Sequence, residues 1–456
     1  MSQHKIVRLS ETAVGDNEHQ LNELGDAGWE LLHIYNQHAY LKSTGAGSLA
    51  SGSLNMSVDA FGRGRVSEPF TLGDYKHIYG LDDIFFKQVV GDGDVIENIN
   101  RASVILSATS SGSRAIHQSK MYHHYMPGKS QTILSSFVFG SPVSGSTKRT
   151  GYFDDYNGIF LEQDATGSLQ FVIRSATNGT GSVQETRVAQ ENWNVNTLTG
   201  GEFTLDVTKT QLLYIDFQWL AVGRVRCGFV YKGIVVLCHV FDHSNVLDVA
   251  YMQTPNLPIR CQIVNSVNTI VASTMEQICT TVMSEGGYVE GGKAFAISNS
   301  TFIPLPSAST RPVLAIRLKN SVNNMPNRAF VRIQEASVFT DQQSVRYELI
   351  KLPSGSALTT GSAWSNVNQQ SVVEYNVSAS AYSNGHVLLS GFVGANSLNI
   401  NQANPLVQTH AGVSNKQNFI AQNINSNDSE IYVLVAKNMT ANTTNIGGSM
   451  LWSEIF

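Results

Sequence analysis

Between Gln211 and Phe241 the chain reads QLLYIDFQWLAVGRVRCGFVYKGIVVLCHVF, dense in β-branched and aromatic residues and broken mainly by glycines. Such residues fit a pleated, half-buried surface, so the pattern predicts strands. Leu213, Ile215, Phe217 and Trp219 alternate, which predicts one buried strand face. Lys232-Gly233 predicts a two-residue hairpin loop that sets Tyr231 opposite Ile234 and Cys227 opposite Cys238. Shorter apolar runs recur at Ser103–Ala108, Ile133–Phe139, Gly158–Gln163, Leu169–Ser175 and Phe203–Val207, separated by GDG, SSG, PG and NGTG turn signals. Many short strands with almost no helical period predict a mainly β chain. Its centre, 58–352, reads as a β-sandwich or jelly-roll-like domain without a helix longer than about two turns.

The flanks carry different patterns. Residues 1–43 read as a small β-α-β-β unit. His4 to Leu9 alternate as a strand, Asp16 caps a helix from Asn17, and Gly25 or Gly28 ends it. Trp29–Tyr35 and His38–Lys42 then read as a hairpin. Residues 44–57 are a Gly/Ser/Ala tether without apolar periodicity. Residues 353–456 turn rich in Ser, Asn, Thr and Gly, with strands at Val372–Ala379, His386–Val393 and Glu430–Ala436. They predict a small separate C-terminal β domain, with Ser383-Asn384-Gly385 as a hairpin turn.

Charged residues make up only 14% of the 456, and the net charge of −5 is spread without runs. A nucleic-acid binder shows a basic face, so that partner is not expected. No run of about 18 apolar residues and no signal-peptide pattern occur, which predicts a chain made in a cytoplasm with no membrane partner. The four cysteines, at 227, 238, 261 and 279, form no CxxC pair. Cys227 and Cys238 fall within disulfide reach in the predicted hairpin. Cytosolic assembly favours free thiols at both.

Two segments carry family resemblances. Leu21-Asn-Glu-Leu24-Gly25-Asp-Ala-Gly28-Trp29-Glu30-Leu31 resembles the Leu-x-x-Leu-Gly-x-x-Gly-Trp-Glu-Leu signature of a small domain family of unknown function. That resemblance implies a fold and no activity. Asp59-Ala-Phe61-Gly-Arg63, Arg65 to Leu72, RTGYF at Arg149–Phe153, the 211–241 hairpin and YMQTPNLPIR at Tyr251–Arg260 together resemble a β-sandwich module of tailed-bacteriophage virion proteins. This second resemblance covers roughly 58 to 300. It implies a virion location (tail, baseplate, fibre or head decoration), other virion proteins as partners, and a homo-oligomer, most often a trimer. The Gly-rich segment 58–69 reads physically as an extended arm suited to wrapping a neighbour.

Candidate chemistry is sparse. GxSxG and HExxH are absent, and His123 stands where a phosphate-binding loop ending in Gly128-Lys129-Ser130 needs glycine. His239 and His243 lie at the end of a strand, where four residues span about 13 Å, too far for a shared ion. His123 and His124 alternate onto opposite faces. Asp154, Asp155 and Asn157 read as a turn in preference to a calcium site. No catalytic, cofactor or metal residues are assigned. Trp193 in ENWN and Trp364 in GSAWSN lie in polar stretches and are the candidate surface-binding residues. The expected function is a non-enzymatic structural component of a tailed-phage virion that acts through subunit assembly. The alternatives are a receptor-binding module for host surface glycans and, behind it, a depolymerase, which needs two placed carboxylates.

Overall fold

The computed structural model describes the strands 4–8, 29–35 and 38–43. Between 58 and 455 it describes every residue except 61, 66, 81–82, 179–181, 201–202, 288–290, 360–362, 384, 395–418 and 426. The chain divides into two units, Met1–Val58 and Asp59–Phe456. In the first, His4–Arg8, His38–Ser43 and Trp29–Tyr35 form an antiparallel sheet with His38–Ser43 in the middle. Tyr35 pairs with His38, as the predicted hairpin requires. The predicted helix, the 44–57 tether and Asn384 of the predicted turn lie outside the described residues.

The second unit is almost entirely β. Among its described residues the helical turns are two three-residue 3-10 segments, Ile99–Arg101 and Gln190–Asn192. Two sheets build a first sandwich. The seven-stranded sheet runs in the order Gln184–Ala189, Leu169–Ser175, Gly158–Gln163, Ser146–Phe153, Ile259–Asn265, Arg114–Ser119, Phe85–Val90. The eight-stranded sheet is centred on Gln211–Phe217, Gln131–Val138 and Ser273–Ser284. Period-two alternation sends Ile159, Leu161, Phe171 and Ile173 from the first sheet onto Leu213, Ile215, Phe217 and Ile133 from the second, all buried.

Three details depart from the expected pattern here. The strand with Leu213, Ile215 and Phe217 ends at Phe217. Trp219 opens a tight turn containing Leu220 and Ala221 in the left-handed region. It stays partly buried on the same core, its indole N–H donating to the Met252 carbonyl at 3.0 Å. In the following hairpin Tyr231 pairs with Ile234, but a bulge at Cys227/Gly228 sets Cys227 opposite His239 in place of Cys238. All four cysteines are free thiols. Finally, the 58–69 arm is anchored on its own chain. Arg65 bridges the buried Asp216 at 2.9 Å and Glu285 at 3.0 Å, and Asp216 also accepts from the Thr132 hydroxyl at 3.0 Å.

The boundary expected at 352 is corrected. Thr310–Leu318 and Val345–Leu352 both pair with Ile431–Asn438, and Lys293–Ser298 and Phe330–Thr340 both pair with Thr444–Ile455. The described residues between 293 and 455 therefore form one second sandwich, around Leu314, Ile316, Val331, Leu434 and Trp452. The composition shift at 353 marks loop chemistry; long-range pairing carries the fold across it. The two sandwiches meet at a buried junction. Lys120 from the first reaches Glu430 at 2.8 Å, and Glu430 also meets Lys351 at 2.9 Å. Arg328 meets Asp154 at 2.7 Å.

Candidate functional site

Phe330–Thr340 pairs with Thr444–Ile455 along its whole length on one side. On its other side Phe419–Ile420 covers only Val331 and Arg332. Past that point no other described strand pairs with it, and among the described residues it is a sheet edge. In the facing sheet His386–Val393 is also the last of the described strands. Between these two edges the sandwich opens into a cleft of about 300 Å³, within the size range of small-molecule sites.

The wall of the cleft follows from strand register. Ser298, Ser449 and Ser337 sit directly opposite one another on three adjacent strands, so their side chains share one face. The Ser337 and Ser449 hydroxyls are 2.6 Å apart. One step along, Phe339 pairs with Gly447. Gly447 has no side chain to stand off the sheet, and Phe302 lies across it; a Cβ there would sit 3.1 Å from Phe302 Cδ1. The Phe302 ring stacks beside Phe339, with centroids 5.1 Å apart. Asn299 holds this turn in place. Its amide group donates to the Val313 carbonyl at 3.0 Å and accepts from the Gly448 N–H at 2.8 Å. Tyr347, Phe392, Val393 and Gly394 line the facing side.

Phe302 is 62% exposed and Phe392 71% exposed. Large apolar rings left in water beside a row of hydroxyls are the chemistry of a surface that binds amphipathic rings. Sequence reading missed these residues. Phe302 and Phe392 stand 90 positions apart, and the serine row exists only through register. The signals that were present, a lone Phe after SNST and the Gly447-Gly448 pair, are weak without the pairing.

The two tryptophans proposed from sequence lie elsewhere. Trp193 is only 4% exposed. The 3-10 turn before it folds the ring into the first sandwich's core, where it stacks on Phe171 at 4.5 Å and donates to the Val188 carbonyl. Its surface role is therefore withdrawn; polar neighbours in sequence hid a core residue. Trp364 is half-buried on the outer face of the second sandwich, beneath the Arg317 guanidinium at 4.2 Å. Neither residue lines the cleft.

The other candidate clusters are accounted for by local bonding. Asp154 accepts from the Tyr156 and Asn157 N–H groups at 2.8 Å and pairs with Arg328, while Asp155 pairs with Arg260. This is the turn predicted for them. The His243 ring stacks on Tyr251 at 4.1 Å, and His123 bonds Tyr75 and the Leu257 carbonyl. On the outer face of the seven-stranded sheet, Glu162 lies between Arg149, Arg187 and Gln170. Beside it burial opposes ionisation of Glu185, but Arg174 and Arg187 outweigh that and hold its pKa below the usual carboxylate value.

No family model and no curated protein sequence matches this chain. Solved structures do match, at low similarity. A GH16 protein of a Bacteroides ovatus mixed-linkage glucan system, in complex with a product, is 11% identical with a TM-score of 0.33, covering 46% of this chain and 99% of its own. A β-1,3-glucanase from Mycobacterium marinum is 13% identical with a TM-score of 0.28, over 44% and 91%. A legume lectin-like domain from Entamoeba histolytica is 12% identical with a TM-score of 0.26, over 45% and 90%. The expectation that this chain is not an enzyme is overturned by these matches, several of which are glycosyl hydrolases, and is withdrawn. Likeness at this level carries no activity across to this chain.

Proposed function

We propose that this chain is a glycan-binding β-sandwich protein whose site is the edge cleft of the second sandwich. The observation that carries the reading is the pairing of two exposed aromatic rings, Phe302 and Phe392, with a registered row of serine hydroxyls around one open cavity. A sugar ring has an apolar face that stacks on an aromatic ring and a rim of hydroxyls that both donate and accept. Serine hydroxyls have the same dual capacity. The test is binding of the full chain to a panel of immobilised oligosaccharides. Phe302→Ala and Phe392→Ala are each expected to weaken binding by about tenfold or more without shifting the melting temperature, since both rings are mostly in solvent. Binding that survives both substitutions would remove the cleft from the account.

A second reading, structural assembly in a tailed-phage virion, draws on a different surface. The loops after Phe217 and after Phe241 are tied together by a Tyr251 N–H bond to the Ala221 carbonyl. They expose Leu220, Val222, Val246, Leu247 and Val249 at one end of the first sandwich. A patch of this kind suits burial against another copy of the chain. Light scattering of the purified chain tests it: a trimer that dissociates on Val246→Lys supports the reading, and a wild-type monomer refutes it.

A further inference from the structure

The cleft also carries information about charge. Resting on the glycan reading above, we infer that it selects uncharged saccharides over acidic ones, holding one sugar ring on the Phe302–Phe339 shelf against the serine row. Among the described residues its lining holds no Lys, Arg, His, Asp or Glu. On the strands that line it, Glu335 lies two residues before Ser337 on the same face and adds an acid there, and Arg346, Glu348 and Asp341 already have partners. Arg346 stands directly opposite Phe392 and shares its face, and its charge is paired with Glu348 two residues along the same strand. Asp341, at the end of the Phe339 strand, accepts from the Thr444 hydroxyl at 2.8 Å and from the Asn445 N–H and side-chain amide at 2.8 and 2.7 Å.

A carboxylate or sulfate on the Phe302–Phe339 shelf would lose part of its hydration and, among the described residues, meet Glu335 on the same face and no unpaired cation in return. A neutral hydroxyl meets groups that replace its water bonds. The Ser337–Ser449 pair still has lone pairs and one hydroxyl proton beyond the bond joining them. Gly447 is the positioning residue of the shelf, because a Cβ there would crowd Phe302 at 3.1 Å and a branched side chain would displace the ring. Its φ lies outside the left-handed region, so a larger residue meets the Phe302 ring and no backbone strain.

The experiment uses the full chain against matched pairs: neutral oligosaccharides and the sialylated or sulfated forms of the same oligosaccharides, with oligogalacturonate as a further acidic probe. The neutral member is expected to bind at least about tenfold more tightly. Its affinity should be the same at about 50 and about 500 mM salt, since no ion pair is screened. Phe302→Ala and Gly447→Val should each weaken it by about tenfold or more, with Phe302→Ala melting like the wild type. Acidic members that bind as well as or better than neutral ones, and lose binding with Phe302→Ala, would overturn the selectivity while leaving the glycan cleft in place. Binding by no saccharide, or binding indifferent to Phe302→Ala, would overturn both.

Discussion

Lowering the pH should destabilise the first sandwich through two buried histidines, His77 and His117, which lie with ring centroids 5.3 Å apart beside Phe85. They are 4% and 2% exposed. Burial lowers the His77 pKa from 6.5 to about 4, with Glu97 opposing that shift and Lys87 adding to it. Burial lowers that of His117 to about 3, against a hydrogen bond that its Nδ1–H donates to the Gln277 side-chain oxygen. Both folded-state values are depressed, so the unfolded chain takes up protons first as pH falls. Stability is complete above about pH 6.5 and declines progressively toward pH 4. At about 1.4 kcal/mol per unit, His77 alone accounts for a loss of about 3 kcal/mol by pH 4. His77→Phe keeps a ring against Phe85 and removes an imidazole nitrogen that is buried without a partner. Denaturant unfolding of wild type and variant at pH 7.5 and pH 4 measures the difference. The variant should match the wild type within about 1 kcal/mol at the higher pH and lose about 3 kcal/mol less on acidification. Equal acid sensitivity in the two proteins would refute the reasoning.

Trp193→Ala should cost about 3–5 kcal/mol in denaturant unfolding, as expected for an aromatic ring removed from a packed core; a loss below about 1 kcal/mol would return the residue to the surface. Glu430→Gln should destabilise the chain by about 3 kcal/mol and separate the melting of the two sandwiches, because it strips Lys120 and Lys351 of their shared carboxylate. Burial works against the Lys120 charge, but Glu430 and Asp83 hold its pKa above the usual lysine value, so this lysine stays charged across the working range. A single unshifted transition in calorimetry would show that the junction contributes nothing.

The local pattern made most strands legible. Ser103–Ala108, Gly158–Gln163 and Leu169–Ser175 stand where alternation and turn residues put them. What escaped depends on distant pairing. The bulge at Gly228 shifts Cys238 out of register with Cys227, and nothing in an alternating run announces an inserted residue. The second sandwich draws strands from both sides of residue 352, where only loop composition changes. Trp193 was misplaced because Glu191, Asn192 and Asn194 face solvent while the indole turns inward. The cleft was illegible for the same reason: its rings and hydroxyls come from five strands and a turn spread between residues 298 and 449.

The central claim is that saccharides dock in the edge cleft of the second sandwich. Its most direct test is a backbone NMR titration of the full chain with a neutral oligosaccharide that it binds. Saturable shifts are expected to cluster at Ser298, Phe302, Ser337, Phe392, Gly447 and Ser449. Shifts confined to the first sandwich, around Glu162 and Arg174, would contradict it.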